Sequence, residues 1–273
     1  MRGITDTVKH LIIINVLMFI GTLVIGNRAI FSNLFALHFP KSDMFQPWQI
    51  ITHMFMHGNF QHILFNMLAL WMFGTAVEQV FGKSKFIFFY LSSGLGAVVL
   101  TFIVYYIQVM PLMVDVSSLG YSDELLNQIV NLDILEGNYL KSEILERKMA
   151  PLIAEYGHAM SSVSNAEIKA LFELNHLTRG SMVGASGAIM GILVAFGMLF
   201  PNSKLMLIFL PVPIKAKYFI PGLIALDLFS ALTGVSIFSP NNTAYIAHIG
   251  GAITGFLMMY FWKKDELDKY RWN

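Results

Sequence analysis

Six segments of the chain are strongly apolar and approach or exceed the roughly 17–25 residues that a helix needs to cross a lipid bilayer. Polar or mixed stretches separate these apolar segments, and the fourth apolar segment is the shortest. The pattern predicts an all-α polytopic membrane protein with six transmembrane helices, called spans one to six below. The spans lie at about residues 9–26, 58–80, 86–109, 184–200, 216–233 and 243–262.

The loop between spans one and two mixes aromatic and aliphatic residues, such as Phe31, Leu34 and Trp48, with polar ones. Amphipathic, aromatic-rich segments favour the boundary between lipid headgroups and acyl chains. We therefore expect this loop to lie in the membrane interface.

Residues 111–180 differ in character, because they hold 10 of the 17 acidic residues and 5 of the 18 basic ones, a net charge of −5. Apolar residues recur there three or four positions apart, which indicates amphipathic helices. Ser164 and Glu167 form a candidate capping box. The pattern predicts a soluble helical insertion between helices 3 and 4.

The chain then divides into three parts. Residues 1–110 hold the first three transmembrane helices and the interfacial loop. Residues 111–180 are the extracytoplasmic insertion, and residues 181–273 hold the last three helices and a cytoplasmic tail.

Composition agrees with a membrane protein, since 56% of the residues are hydrophobic and the mean hydropathy is +0.62. The net charge of +1 argues against a nucleic-acid partner. The chain has no cysteine, which excludes disulfides, thiolate catalysis and cysteine-bound metals.

The basic residues set the orientation, because Lys and Arg concentrate on the cytoplasmic side of membrane proteins. With the N-terminus inside, eleven of them fall on inner segments and only Arg28 and Lys41 on short outer loops. Both termini are then cytoplasmic and the insertion is outside. No organelle-targeting segment is evident, so we expect a bacterial inner membrane. The inner residues are Arg2, Lys9, Lys83, Lys85, Lys204, Lys215, Lys217, Lys263, Lys264, Lys269 and Arg271.

In this orientation spans two, four and six begin at the outer leaflet, and polar residues lie near all three beginnings. Span two carries His57, His62 and Asn66, span four opens with Ser186, and span six opens near His248. Polar side chains in membrane helices face the protein interior or a water-filled cavity. A site that opens outward is therefore plausible.

The residues at this depth suit acyl transfer. A serine hydroxyl needs a base to take its proton, and histidine is the natural base near neutral pH. Ser186 and His248 meet if spans four and six pack together, and small residues allow such packing. The glycines that favour it are Gly184, Gly187 and Gly191 on span four, and Gly251 and Gly255 on span six.

Oxyanion donors are also present. His62 and Asn66 share one helix face at i, i+4 spacing, and the backbone N–H of Ser186 lies near a helix N-terminus. No carboxylate lies near either motif in the sequence, which favours a Ser–His dyad. Asp227, inside span five, is interpreted as a structural pairing group.

Simpler interpretations exist for each residue alone. Ser186 among small residues suits plain helix packing, and His248 or Asn66 suits an interhelical hydrogen bond. His57 and His62 are poorly spaced for a shared metal, and no acid accompanies them, so we predict no metal site. Glu78, at the inner end of span two, is interpreted as a structural or capping residue.

Three motifs in order carry a family resemblance. They are His62 and Asn66 as HxxxN, Gly184-Ala185-Ser186-Gly187 as GxSG, and Ala247-His248 with Gly251 and Gly255 as AHxxGxxxG. Across all six spans the chain resembles the rhomboid intramembrane serine proteases.

The resemblance implies a six-helix core whose active site lies in a water-filled cavity opening outward. Ser186 would be the nucleophile and His248 the general base. His62, Asn66 and the Ser186 backbone would form the oxyanion hole, and His57 would have a supporting role.

Substrates would be single-pass membrane proteins cut in or near a transmembrane segment, with no metal or organic cofactor. Two positions depart from common family patterns. Trp48-Gln49 stands where many members have Trp-Arg, and Met190 stands where some have an aromatic residue against the histidine.

Two other functions compete with the protease. An inactive rhomboid-like factor that binds membrane proteins would usually lack the serine or the histidine, and both are present. A transporter would need paired charges or repeated, broken helices, and we find one acid deep within a span and no convincing internal repeat.

Overall fold

The computed structural model describes residues 3–25, 28–136, 139–207, 210–235 and 242–262. The predicted cytoplasmic tail, at residues 263–273, lies outside the described residues. Two compact units emerge, and each is treated by itself. The membrane unit comprises Met1–Ala36, Trp48–Thr101 and Met182–Asn273, and the insertion unit comprises Leu37–Pro47 and Phe102–Ser181. The domain division at 111 and 180 stays a prediction.

The described chain is mostly helical. Its α-helices are α1 Asp6–Val24, α2 Arg28–Phe35, α3 Gln49–Thr52, α4 Phe60–Ala69, α5 Thr75–Phe81, α6 Lys83–Asp115, α7 Asp123–Asn131, α8 Ser142–Glu155, α9 Asn165–Arg179, α10 Ser186–Leu199, α11 Ala216–Thr233 and α12 Asn242–Phe261. A π-helical segment, Leu70–Gly74, joins α4 to α5. The strands are β1 Leu37–His38, β2 Leu135–Glu136, β3 Tyr139–Leu140, β4 Ser181–Met182, β5 Lys204–Leu207 and β6 Leu210–Lys215.

Within the described residues, four helices are long and apolar enough to cross a membrane: Asp6–Val24, Phe60–Phe81, Lys83–Leu119 and Ala216–Thr233. They correspond to predicted spans one, two, three and five. The other two predicted spans appear as shorter apolar helices, Ser186–Leu199 and Tyr245–Phe261. The membrane-spanning helical fold is thereby supported, and the count of six remains a prediction.

Large apolar side chains remain exposed on the outer faces of these helices, including Leu17 on α1 and Phe88 on α6. Such surfaces suit contact with lipid tails. In contrast, most of α10 is buried, and it belongs to the main hydrophobic cluster together with residues of α4, α6, α11 and α12.

Helix α1 is held at its N-terminus by the Glu78 carboxylate. The backbone N–H groups of Thr7 and Val8 donate to Glu78 at 3.3 and 3.1 Å, and the Thr5 hydroxyl also donates to it. These N–H groups have no intrahelical acceptor, and a negative charge there favours the helix dipole. The capping role predicted for Glu78 is therefore confirmed.

Helices α10 and α12 approach each other through glycine. A Cβ added at Gly251 would overlap the backbone carbonyl of Gly187, and one at Gly255 would lie 2.6 Å from the Cα atom of Gly191. These separations are too short for any side chain. The close approach therefore exists only because these positions lack a Cβ.

The segment between α10 and α11 contains an antiparallel hairpin. β5 pairs with β6, with Lys204 opposite Lys215 and Leu205 opposite Ile214. Pro211 and Pro213 lie in β6. A two-stranded ribbon leaves each strand with an unpaired edge, which explains how it accommodates residues that lack an N–H.

The insertion unit has its own core, in which the apolar residues with helical spacing are buried. Leu125 and Ile129 of α7, Leu145 of α8 and Leu171 of α9 are fully covered. The amphipathic helices predicted from the spacing are confirmed as α7, α8 and α9. So is the capping box between Ser164 and Glu167 at the start of α9.

We predict that Gly251→Ala destabilises the membrane unit by about 1–3 kcal/mol, because the new methyl group meets the rigid backbone of α10. Gly222→Ala is the matched control, since nothing lies within 4 Å of a Cβ at that exposed position of α11. It should be neutral or slightly stabilising, by up to about 1 kcal/mol. Unfolding in detergent micelles measures both changes. Equal stability of the two variants would contradict the proposed packing constraint.

Candidate functional site

Ser186 is the first residue of α10, and its side chain is partly exposed. The turn before it depends on Gly184, whose φ of +127° strongly favours glycine. The Gly184 N–H donates to the backbone carbonyl of His53 at 2.9 Å, which ties this turn to the segment before α4. Because Ser186 opens the helix, its own N–H has no intrahelical acceptor.

His62 of α4 lies beside the same turn. A Cβ added at Gly184 would lie 2.8 Å from Nε2 of His62 and 3.6 Å from Oγ of Ser186. The imidazole nitrogen of His62 and the hydroxyl of Ser186 therefore both lie close to the position that a Cβ of residue 184 would occupy. Any larger residue at position 184 would displace His62.

Helix α12 brings His248 to this region. The residue before it, Ala247, has its carbonyl oxygen 3.4 Å from where a Cβ of Gly187 would lie. Ser186 of α10 and His62 of α4 thus lie beside one turn, and the residue before His248 on α12 approaches the residue that follows Ser186.

Asp227 reaches His248 from α11, which the sequence analysis did not foresee. Its Oδ2 atom lies 3.0 Å from Nδ1 of His248, and its side chain is only 5% exposed. A carboxylate therefore contacts His248, although none lies near either motif in the sequence. The two residues are 21 positions apart, and only the packing of α11 on α12 unites them. The prediction that Asp227 pairs with another polar group is confirmed, and that group is His248.

Asn66, one turn after His62, is buried, and its Nδ2 lies 3.0 Å from Nε2 of His57. Burial lowers the pKa of His57 to about 3, and the positive charge of His62 adds to this effect. A neutral His57 accepts a hydrogen bond through Nε2, so one of the two amide protons of Asn66 is held and the other stays available. His57 thereby fixes the orientation of Asn66.

The remaining predicted residues surround this centre. Gly187 and Gly251 lie where α10 meets α12, and Gly255 continues that contact one turn further on. Met190 is buried in the hydrophobic cluster. The Gln49 side chain donates to the backbone carbonyl of Asn33 at 2.8 Å, so it anchors this loop to the end of α2.

Two buried histidines predict acid sensitivity. Burial lowers the pKa of His53 to about 4 and that of His57 to about 3, from 6.5. The unfolded chain therefore binds more protons below about pH 6.5, and stability falls as the pH drops from there towards 4, by up to about 1.4 kcal/mol per pH unit for each residue. His57→Gln should make this dependence shallower in thermal unfolding scans over a pH series. His10→Gln, at an exposed position of α1, should leave the slope unchanged. Parallel curves for wild type and His57→Gln would contradict the assignment.

Comparison with known proteins gives local matches that include two bacterial proteins. Rhomboid protease GluP of Bacillus subtilis (strain 168) is 38% identical over 56 residues, which are 20% of this chain and 11% of that protein. Rhomboid protease GlpG of Salmonella newport (strain SL254) is 40% identical over 72 residues, 26% of each protein. The matched stretches thus span only a minor part of these relatives.

A family model covers far more of the chain. The model described as the Rhomboid domain matches residues 44–123 and 145–264, which is most of the sequence. The match includes the turn at Gly184, the start of α10, and the helices that carry His62, Asp227 and His248. Together with the apolar helices of the membrane unit, it shows that this integral membrane protein belongs to the rhomboid family.

Proposed function

We propose that the protein is an intramembrane serine endopeptidase that cleaves membrane proteins through a Ser–His dyad. The observation that carries this proposal is the glycine contact between α10 and α12. On α10 it begins at Gly187, one residue after Ser186. On α12 it involves Ala247 and Gly251, which lie before and after His248 in the sequence. The two related proteins that bear the name rhomboid protease support the same activity.

In the proposed reaction, Oγ of Ser186 attacks the carbonyl carbon of the scissile peptide bond. His248 takes the hydroxyl proton and then delivers it to the leaving amine, which departs with the C-terminal part of the substrate. The acyl group stays on Oγ as an ester. A water molecule, deprotonated by His248, hydrolyses that ester and regenerates the serine.

The negative charge that develops on the substrate oxygen needs donors already in place. His62, the Nδ2 group of Asn66 and the backbone N–H of Ser186 are the proposed donors. The His57–Asn66 hydrogen bond supports this role, because it orients the amide before substrate arrives.

The proposed substrates are single-pass membrane proteins that enter from the bilayer, cut in or near a transmembrane segment. The proposed orientation has both termini in the cytoplasm of a bacterial cell and the site open to the outer side. The short α10 supports a site below the membrane surface. Its 14 residues extend only about 21 Å, against a hydrocarbon layer of about 30 Å.

The decisive experiment is cleavage of a panel of single-pass membrane proteins in liposomes by wild type, Ser186→Ala and His248→Ala. We expect wild type to cut and both variants to lose at least about 10³-fold in rate while remaining folded. A labelled fluorophosphonate should modify wild type at Ser186 and leave Ser186→Ala unlabelled. Undiminished cleavage by Ser186→Ala would refute the nucleophile. Neither cleavage nor labelling by wild type would favour an inactive, client-binding relative or a transporter.

The oxyanion role of Asn66 has its own test. Asn66→Ala should reduce kcat by about 10²–10³-fold with little change in KM, because the lost hydrogen bond forms mainly in the transition state. Leu64→Ala is the control, since Leu64 lies on the same helix with 47% of its surface exposed. It should retain wild-type kcat. An Asn66→Ala enzyme that matches the control would exclude the amide from the oxyanion hole.

A further inference from the structure

The contact between Asp227 and His248 joins two polar groups inside an apolar helix bundle. Oδ2 of Asp227 lies 3.0 Å from Nδ1 of His248, within hydrogen-bond distance. The carboxylate side chain is 5% exposed and the imidazole 20% exposed. A carboxylate in such surroundings is costly unless it is paired.

The chemistry of the pair determines which ring nitrogen of His248 carries the proton. An ionised carboxylate can only accept hydrogen bonds, so Nδ1 of His248 must donate. In a neutral imidazole, this leaves Nε2 with its lone pair and able to take a proton. That is the tautomer which a general base acting on Ser186 requires.

We propose that Asp227 is a positioning residue that holds His248, the general base of the proposed Ser–His dyad, in this tautomer and orientation. The inference rests on the proposed protease function and deepens it. When Nε2 takes the Ser186 proton, the imidazolium faces a full negative charge at 3.0 Å. Asp227 stabilises that cation and does not itself receive the proton.

A neighbouring residue on α11 supplies a matched control for Asp227. Ser230 lies one turn further along the helix and is completely buried, yet its Oγ has no hydrogen-bond partner among the described residues. Helix α11 therefore presents two buried polar groups, and it is the acid that meets the histidine of the AHxxGxxxG motif.

The test compares Asp227→Asn with Ser230→Ala in the full chain in liposomes. The amide introduced by Asp227→Asn keeps the shape of the carboxylate but offers an N–H to Nδ1, which would move the ring proton to Nε2. We expect kcat to fall by between about tenfold and 10⁴-fold, with KM within about twofold of wild type. The rate of fluorophosphonate labelling at Ser186 should fall by a similar factor. Ser230→Ala should match wild type in all three. Unchanged kcat in Asp227→Asn would overturn the proposal.

A measurement on the wild type keeps the proposal testable even if Asp227→Asn does not fold. ¹⁵N spectra of histidine-labelled protein in lipid, with His248→Ala to identify the signals, report which ring nitrogen carries the proton. At mildly alkaline pH we expect a protonated Nδ1 and an unprotonated Nε2. An unprotonated Nδ1 would overturn the inference. This readout does not depend on cleavage, so it separates failure of the Asp227 positioning role from failure of the protease function, which Ser186→Ala diagnoses.

Discussion

The close contact of α10 with α12 is the constraint on which the candidate site depends. Lipid tails are as apolar as leucine, so membrane helices gain little from hydrophobic burial against each other and associate through tight packing and hydrogen bonds. Here Gly187 and Gly251 bring the two backbones so near that a single methyl group would overlap a carbonyl. Ser186 immediately precedes Gly187, and His248 lies three residues before Gly251. Their proximity is therefore a property of the helix interface rather than of a flexible loop.

Two buried carboxylates in the membrane unit, those of Glu78 and Asp227, have different partners and therefore different roles. The Glu78 carboxylate accepts from backbone N–H groups at the start of α1, so it compensates a helix terminus. The Asp227 carboxylate meets a side chain that can itself carry charge. The first pairing is static, whereas the second strengthens whenever His248 becomes protonated. Only the second would couple to the proposed reaction cycle.

Much of this arrangement was predictable from the sequence, because it depends on residues that lie close together along the chain. Apolar runs predicted the helices, spacing of three and four residues predicted the insertion helices, and Ser164 with Glu167 predicted a capping box that is present. The Asp227–His248 contact was not predictable, since it depends on the rotation of two helices about their axes. Helix α6 also continues through Pro111 to Asp115, beyond the predicted start of the insertion at residue 111, because a proline can be tolerated within a long helix.

The short α10 explains why a positioning carboxylate has particular value here. A helix of about 21 Å is shorter than a hydrocarbon layer of about 30 Å, which fits the proposed position of Ser186 below the membrane surface. The His248 side chain is only 20% exposed, so an imidazolium formed there would be less hydrated than one in bulk water, and electrostatic interactions are stronger in such surroundings. In the proposed reaction, the Asp227 carboxylate at 3.0 Å would stabilise that charge without needing to reorganise.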